Sequence, residues 1–286
     1  MNQKKTIPSS EIINSKKIVI SLILVLLGIT LIYQTRPFLD DFQFSLIAIP
    51  AYAIFPAILT AYAAILSVKL YKQKNSESKG YAMFAVAAAF WFIAEQIWQL
   101  YDHVWEGEPF PSEADIFYMA SYPLITAFLF LSLKPVIRKV PRNVWLFAIG
   151  LSFSLLVPSI LAAYDDMFEE DAFPTMVALA YPVLSAIVLV PAIVGILFLA
   201  KQGASLSWVL ILFGFIIYGV ADIFFLFAEL DGAYYDGHPV DLLYLYTYTL
   251  IIFAFHVRLK IANLPVTKNR TIFFTENIKF ETISKF

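Results

Sequence analysis

Cysteine is missing from this sequence, and charged residues are scarce. The absence of cysteine excludes a disulfide framework, a thiolate nucleophile and a metal or iron–sulfur centre bound by thiolates. Charged residues make up 15% of the chain, against roughly 25% in an ordinary soluble domain. Hydrophobic residues make up 60%, and the mean hydropathy is +0.75. This composition indicates an integral membrane protein, whose first partner is the lipid bilayer.

The side chains and motifs that common membrane cofactors and enzymes require are also missing. No lysine lies in the middle of an apolar run, which excludes a retinal Schiff base. Of the three histidines, only His256 falls inside such a run rather than at or beyond its boundary, which leaves no facing pair of haem ligands. The sequence has no Gly-rich phosphate loop, no Ser/His/Asp pattern and no GxGD motif. We therefore predict no cofactor, no catalytic residue and no nucleic-acid partner.

The other two histidines, His103 and His238, fall at analogous positions near the ends of apolar runs. They could share a metal ion with nearby carboxylates, because imidazole and carboxylate are common metal ligands. Separate surface histidines are nevertheless the commoner arrangement. The sequence therefore predicts no metal site.

Runs of about 20 apolar residues are long enough to cross a bilayer as helices. Eight such runs cover approximately residues 18–33, 45–70, 81–103, 115–134, 143–164, 173–200, 206–229 and 241–261. Six prolines fall well inside them, away from the ends, and they predict kinks rather than breaks because neighbouring helices can satisfy the freed backbone groups. These prolines are Pro50, Pro56, Pro123, Pro158, Pro182 and Pro191. The predicted fold is an all-α polytopic membrane protein with eight transmembrane helices.

The charged residues predict the orientation, since loops on the cytoplasmic side collect Lys and Arg. With the N-terminus in the cytoplasm, every Lys and Arg except Arg36 falls on the cytoplasmic side, and the opposite side is acidic. We therefore expect a multi-pass protein of the cell membrane with both termini in the cytoplasm. The acidic outer face has two explanations: it is what remains when basic residues are excluded, or it is a vestibule that attracts cations.

Two stretches of the chain match each other in helical register. The segment "WFIAEQIWQLYD" (91–102) aligns with "YGVADIFFLFAE" (218–229), at an offset of 127 positions. This alignment pairs Trp91, Glu95, Trp98 and Asp102 with Tyr218, Asp222, Phe225 and Glu229. The spacing of i, i+4, i+7 and i+11 places each set on one face of a helix.

The match continues into the next predicted helix at an offset of 126 positions, and it is echoed upstream. Asp115, Tyr118 and Tyr122 fall on Asp241, Tyr244 and Tyr248, and the Ala-Tyr pair at 51–52 falls on 180–181. We therefore predict two parallel four-helix repeats, 18–134 and 143–261, related by a pseudo-two-fold axis along the membrane normal. A cytoplasmic N-terminal segment (1–17) and a cytoplasmic tail (262–286) flank them.

Glu95 and Asp222 are the two acids that lie well inside predicted spans. Each is seven residues from the acid at the outer boundary, or roughly 10 Å at 1.5 Å per residue. An ionisable group in a span is costly and normally faces protein or water. Three roles stay open: hydrogen bonds that fix helix packing, a ligand or cation site open to the exterior, and proton-coupled or catalytic use of paired carboxyls.

The candidate ligand or ion site combines these acids with the aromatic and acidic residues on the same helix faces. Such aromatic residues either belong to the interfacial belt of membrane proteins or form a cage for a cationic or planar ligand. The predicted site residues are Glu95, Asp222, Trp91, Trp98, Asp102, Asp115, Tyr118, Tyr122, Tyr218, Asp241, Tyr244 and Tyr248.

The stretch "AEQIWQLYDHVWEGEPFPSEADIFYMASYPL" (94–124) resembles the multi-helix membrane sensory regions that precede PAS, histidine-kinase or diguanylate-cyclase modules in some prokaryotic signalling proteins. The similarity rests on an acid, a Trp, "PFPS", "AD" followed by Tyr, and "YPL", and "HPVDLLYLYTYTL" (238–250) echoes its downstream half. The resemblance implies sensing. Because the sequence contains no output module of that kind, signalling would require a separate cytoplasmic or membrane partner.

The function predicted from the sequence is a sensory or ligand-binding module with an exterior-facing acidic and aromatic site, without catalysis. The alternative is a proton- or cation-coupled transporter of small solutes. A carboxylate-dependent intramembrane hydrolase comes third.

Overall fold

The protein is described by a computed structural model that covers residues 15–105, 107–164, 166–168, 172–202 and 205–263. Most of the predicted N-terminal segment (1–14) and nearly all of the predicted cytoplasmic tail (264–286) lie outside the described residues. The same holds for five of the acids assigned to the outer face, Glu106, Asp165, Glu169, Glu170 and Asp171.

The described part of the chain is helical and contains no strand. Its α-helices are α1 (Ser15–Tyr33), α2 (Asp41–Lys72), α3 (Ser78–His103), α4 (Glu113–Ser132), α5 (Lys134–Ile137), α6 (Arg142–Ser154), α7 (Leu156–Ala162), α8 (Phe173–Gln202), α9 (Leu206–Leu230) and α10 (Pro239–Ala262). Within these residues, eight helical segments are long and apolar enough to cross a membrane, with α6 and α7 together forming the fifth. The prediction of an all-helical protein with eight such spans is confirmed.

The fifth span departs from the prediction that prolines kink helices without breaking them. The other five prolines lie inside continuous helices, whereas α6 ends at Ser154 and α7 begins at Leu156. Pro158 has no N–H with which to bond the carbonyl of Ser154, so the helical ladder loses a bond there. The interruption falls at Leu155, next to the carbonyl that lacks this donor.

Local sequence sets the starts of the helices that border the site. Asp40 and Gln43 form a reciprocal capping box at the start of α2, and Ser112 and Asp115 form another at the start of α4. At α10 the His238 side chain accepts a bond from Val240 N, and Pro239 occupies the first helical position. These caps satisfy backbone N–H groups that have no partner inside the helix.

Six helices pack in a closed ring, in which each contacts the next in the order α2, α3, α4, α8, α9, α10 and back to α2. Outside the ring, α1 packs on α10, and α6 and α7 pack on α8. Large aromatic side chains fill the middle of the ring, among them Trp91, Phe84 and Phe215, all fully buried. In a bilayer such close packing and interhelical hydrogen bonds drive helix association, because lipid is as apolar as the helices.

The two ends of the helical bundle differ in charge. One end, called the acidic end below, carries residues 34–40, 107–112 and 231–238; there Arg36 Nε donates to the carbonyl oxygen of Asp236 at 2.9 Å. The other, called the basic end, carries 73–77 and 133–141. At the basic end the side chains of Glu77 and Arg258 form an ion pair in which both are almost completely buried.

Candidate functional site

Glu95 on α3 and Asp222 on α9 are both buried near the centre of the ring. The hydroxyl of Tyr248 donates to Glu95 Oε1 at 2.6 Å, and the hydroxyl of Tyr122 donates to Asp222 Oδ2 at 2.7 Å. Each acid therefore receives its bond from a tyrosine of the other predicted repeat. The two bonds are equivalent under the sequence alignment, in which Glu95 matches Asp222 and Tyr122 matches Tyr248.

Further hydroxyl groups surround both carboxyls. Tyr244 donates to Asp222 Oδ1 at 3.0 Å, Ser185 also donates to Asp222, and Tyr118 interacts with Glu95. These donors lower the cost of burying an ionised carboxyl, since hydrogen bonds to a charged group are stronger than neutral ones. Among the residues that the structure describes, neither carboxyl forms an ion pair with a Lys, Arg or His. Within the described part of the chain, the site therefore offers two acids without a basic side chain to balance them.

Asp115 and Asp241 are held by the starts of their helices. Asp115 accepts a bond from Ser112 N at 2.7 Å and another from the Tyr181 hydroxyl. Asp241 accepts bonds from Gly237 N and from the Tyr234 hydroxyl, both at 2.9 Å. Both carboxyls are almost fully buried. Their capping bonds give these two acids a structural role whatever else they do.

The equivalent aromatic residues of α3 and α9 meet across the ring. The ring centroids of Trp91 and Tyr218 lie 4.9 Å apart, and those of Trp98 and Phe225 lie 6.2 Å apart. Trp98 also contacts the ring of Tyr234 edge-on, with the centroids 6.1 Å apart. The two buried acids thus lie between two layers of aromatic contacts.

A cavity of about 60 Å³, called the inner chamber below, lies between these layers. Eight of the predicted site residues line it: Glu95, Trp98, Tyr118, Tyr218, Asp222, Asp241, Tyr244 and Tyr248. The other four predicted residues lie around the inner chamber. Trp91 packs on Tyr218, and Tyr122 donates a hydrogen bond to Asp222. Asp115 caps α4, and Asp102 lines a second cavity described below. The structure therefore brings most of the predicted residues to one cavity.

Six residues that were not among the predicted site residues also line the inner chamber. They are Tyr52, Gln99, Tyr181, Phe225, Tyr234 and Asp236. The alignment of the repeats pairs Tyr52 with Tyr181 and Trp98 with Phe225. A site that contained every matched aromatic residue would therefore include Tyr52, Tyr181 and Phe225. Tyr234 and Asp236 lie between α9 and α10, where no helical register indicates the direction of a side chain.

A second cavity, of about 320 Å³, lies at the acidic end and is called the vestibule below. It shares Trp98, Tyr234 and Asp236 with the inner chamber. Its other acidic lining residues are Asp102, Glu108 and Glu229. Burial and the nearby Asp102 raise the pKa of Asp236 to about 6, although His103 and Arg36 act in the opposite direction. Four acids therefore line the vestibule, and it adjoins the inner chamber through the three shared residues.

Comparisons of the chain with protein-family models, with curated proteins and with solved structures find no match. The resemblance to membrane sensory regions stays a prediction.

Proposed function

We propose that this protein is a sensory or ligand-binding membrane module that binds a small cationic ligand, of the organic amine class, without chemical turnover. The observation that carries the proposal is the inner chamber, in which the carboxyls of Glu95 and Asp222 share one cavity walled by aromatic rings. Signalling through a separate partner follows from the same proposal, because a binding site of this kind has no output of its own.

The chemistry of the inner chamber suits an ammonium group. Carboxylates attract it by charge, and the faces of Trp and Tyr attract it through the ring quadrupole. The volume of about 60 Å³ exceeds the roughly 10–15 Å³ that a single water molecule needs and admits a ligand of a few heavy atoms. A desolvated site with two acids and no basic partner among the described residues gains from a bound cation, because burying unpaired charges is costly.

The charge distribution supports an orientation in which the acidic end faces the exterior and both termini face the cytoplasm. The basic end carries lysine and arginine clusters in its loops, as cytoplasmic segments do. In this orientation the vestibule collects cations from outside the cell, and the inner chamber lies below it in the outer half of the bilayer.

The reciprocal bonds support two parallel four-helix repeats, 18–134 and 143–261, around a pseudo-two-fold axis. Exchanging α2, α3 and α4 with α8, α9 and α10 maps the ring of helix contacts onto itself. The outer helices depart from this symmetry, since α1 packs on α10 whereas α6 packs on α8. The inner chamber then lies where the two repeats meet, as sites in duplicated membrane proteins often do.

Calorimetric titration of the purified protein in detergent with methylammonium and tetramethylammonium chloride tests the proposed function. The double variant Glu95→Gln/Asp222→Asn keeps the shape of both side chains and removes their charge. Asp231→Asn, at an exposed position of the acidic end, is the matched control. We expect saturable binding to wild type and to the control, and a loss of at least about tenfold in the double variant, or 1.4 kcal/mol. Equal affinity in all three proteins, or no binding to wild type, rejects the proposal.

The transporter alternative is favoured by one observation, the closure of the basic end. The buried ion pair of Glu77 and Arg258 and the bond from Gln73 Nε2 to the carbonyl of Ala262, at 2.7 Å, tie α10 to the turn between α2 and α3. An open vestibule with the opposite end closed is what an outward-facing transporter presents. Amine uptake into proteoliposomes separates the two functions, since a sensory module binds the amine without moving it.

A further inference from the structure

The end of α3 and the segment between α9 and α10 bring three metal-binding side chains together at the vestibule. Asp102, His103 and Asp236 each offer one ligand atom, and these three atoms lie within 4.8 Å of one another. His103 Nε2 is 3.5 Å from Asp102 Oδ2 and 3.9 Å from Asp236 Oδ2. The residues belong to different predicted repeats, so an ion held by them would connect the two halves of the acidic end.

The Nε2 atom of His103 is buried, and within the described residues it has no hydrogen-bond partner. Both carboxylate oxygens lie beyond the usual N–H···O range of 2.7–3.2 Å. A buried polar atom without a partner costs free energy and calls for an explanation. An ion between the imidazole and the two carboxylates supplies the missing partner.

The distances fit a metal ion of ordinary coordination geometry. Zinc binds His nitrogen and carboxylate oxygen at about 2.0–2.2 Å, so two ligand atoms of a tetrahedral site are about 3.4 Å apart. The separations of 3.5 Å and 3.9 Å, and the third of at most 4.8 Å, have to shorten through side-chain adjustments to reach this geometry. A set of one imidazole and two carboxylates suits zinc or manganese, whereas calcium and magnesium prefer oxygen ligands alone.

We propose that Asp102, His103 and Asp236 bind a divalent transition-metal ion, Zn²⁺ or Mn²⁺. Asp102 and Asp236 both line the vestibule, so coordination positions that the protein leaves open face it. Glu108 and Glu229 line the same vestibule and add negative charge that favours the ion. Arg36 does not occupy the site, since it bonds the Asp236 carbonyl and pairs with Asp41 at 2.5 Å.

A bound ion would affect both cavities, because its ligand Asp236 lines the vestibule and the inner chamber. An ion at this position holds the Asp236 side chain against the end of α3. It therefore fixes the junction between the two cavities. This metal site is separate from the amine site proposed above, and its ligands do not include Glu95 or Asp222.

The test is calorimetric titration of the tag-free, chelator-treated protein in detergent with ZnCl₂ and MnCl₂, with MgCl₂ and CaCl₂ as comparison ions. The ligand variants are His103→Gln and Asp236→Asn. The matched controls are His238→Gln, a histidine outside the group, and Asp231→Asn, an exposed acid of the same end. We expect one Zn²⁺ or Mn²⁺ per chain, and a loss of at least about tenfold in affinity in each ligand variant. Both controls keep the wild-type affinity within about threefold.

Three results overturn the proposal: no saturable binding of Zn²⁺ or Mn²⁺ to wild type, ligand variants that bind like the controls, or a preference for Mg²⁺ or Ca²⁺. Size-exclusion profiles report whether each variant is folded, and Asp102→Asn replaces any ligand variant that is not. The Glu95→Gln/Asp222→Asn protein should bind the metal as wild type does. A failure of amine binding is thereby distinguished from a failure of metal binding.

Discussion

Trp91 and Tyr218 contact each other ring to ring, with centroids 4.9 Å apart, although they occupy the same position in two segments that are 127 residues apart. Two equivalent residues touch only where they lie beside the axis that relates them. Trp98 and Phe225 form a second such pair. Both contacts support a pseudo-two-fold axis between α3 and α9.

The hydrogen bonds from tyrosines to the two buried acids predict that Tyr248→Phe and Tyr122→Phe destabilise the protein to different extents. Tyr248→Phe leaves Glu95 with one hydroxyl contact, from Tyr118, whereas Tyr122→Phe leaves Asp222 with two, from Tyr244 and Ser185. A buried acceptor that loses its donor costs about 1–3 kcal/mol. We expect Tyr248→Phe to lower the thermal unfolding midpoint in detergent more than Tyr122→Phe does.

Tyr164→Phe is the control for this comparison, because Tyr164 is 56% exposed and its ring contact with Phe168 survives the change. It should leave the unfolding midpoint within experimental error of wild type. A larger loss from Tyr122→Phe than from Tyr248→Phe would contradict the hydrogen-bond pattern described for the two acids.

The spans could be predicted from the sequence because a helix across a bilayer needs a long apolar run, and such runs are visible without any contact information. The residues at which the helices begin and end are harder to predict. α2 begins at Asp41 rather than near residue 45, since the capping box of Asp40 and Gln43 starts the helix in a polar stretch. The break at Leu155 could not be predicted, because sequence alone does not show whether neighbours satisfy the groups that Pro158 leaves free.

The site could be predicted where helical register determines it. Glu95 and Trp98 share a helix face, and the structure places both at the inner chamber. Asp236 could not be found this way, because it lies in a segment with two separate turns that have positive φ at Gly232 and Gly237. Nor does register reveal that His103 meets Asp236, more than 130 residues later in the chain.

Gly237 should be intolerant of substitution. Its φ of +85° disfavours any L side chain, and an added Cβ would lie 2.5 Å from the ring of Phe44. Its N–H also donates to Asp241 Oδ2, so a backbone shift would disturb that carboxyl. We expect Gly237→Ala to destabilise the protein by about 1–3 kcal/mol, measured as a lower thermal unfolding midpoint.

Gly232→Ala is the matched control, since Gly232 has a φ of +58° but an added Cβ meets nothing within 4 Å. This substitution should lower the free energy of unfolding by only about 1–2 kcal/mol, the cost of placing an L residue in the left-handed backbone conformation. If Gly232→Ala lowers the midpoint as much as Gly237→Ala, the contact with Phe44 adds nothing.

The buried ion pair of Glu77 and Arg258 predicts a strong coupling at the basic end. Their side chains are 3% and 6% exposed, so removing one partner leaves a charge that is both buried and unpaired. Each of Glu77→Gln and Arg258→Met should cost about 3–5 kcal/mol, and the double variant should cost clearly less than the two single losses together. A double-mutant cycle on unfolding free energies measures the coupling, and strict additivity would show that the pair contributes none.

The position of Trp98 leads to a prediction about the amine ligand that we propose for the inner chamber. Its ring lines both cavities and lies beside Tyr118 and Phe225, so Trp98→Leu removes an aromatic face while keeping the wall apolar. Loss of a cation–π contact worth about 0.5–2 kcal/mol lowers the affinity for tetramethylammonium by about 2- to 30-fold. The uncharged tert-butanol, which has nearly the same size and shape as tetramethylammonium, should bind weakly and be affected little, because it has no charge for the ring to attract. Trp105→Leu is the control, since Trp105 lies at the same end, is 60% exposed and lines neither cavity. Equal losses for the charged and uncharged ligands would mean that Trp98 contributes shape alone, and the cationic character of the ligand would then rest on the carboxyls of Glu95 and Asp222.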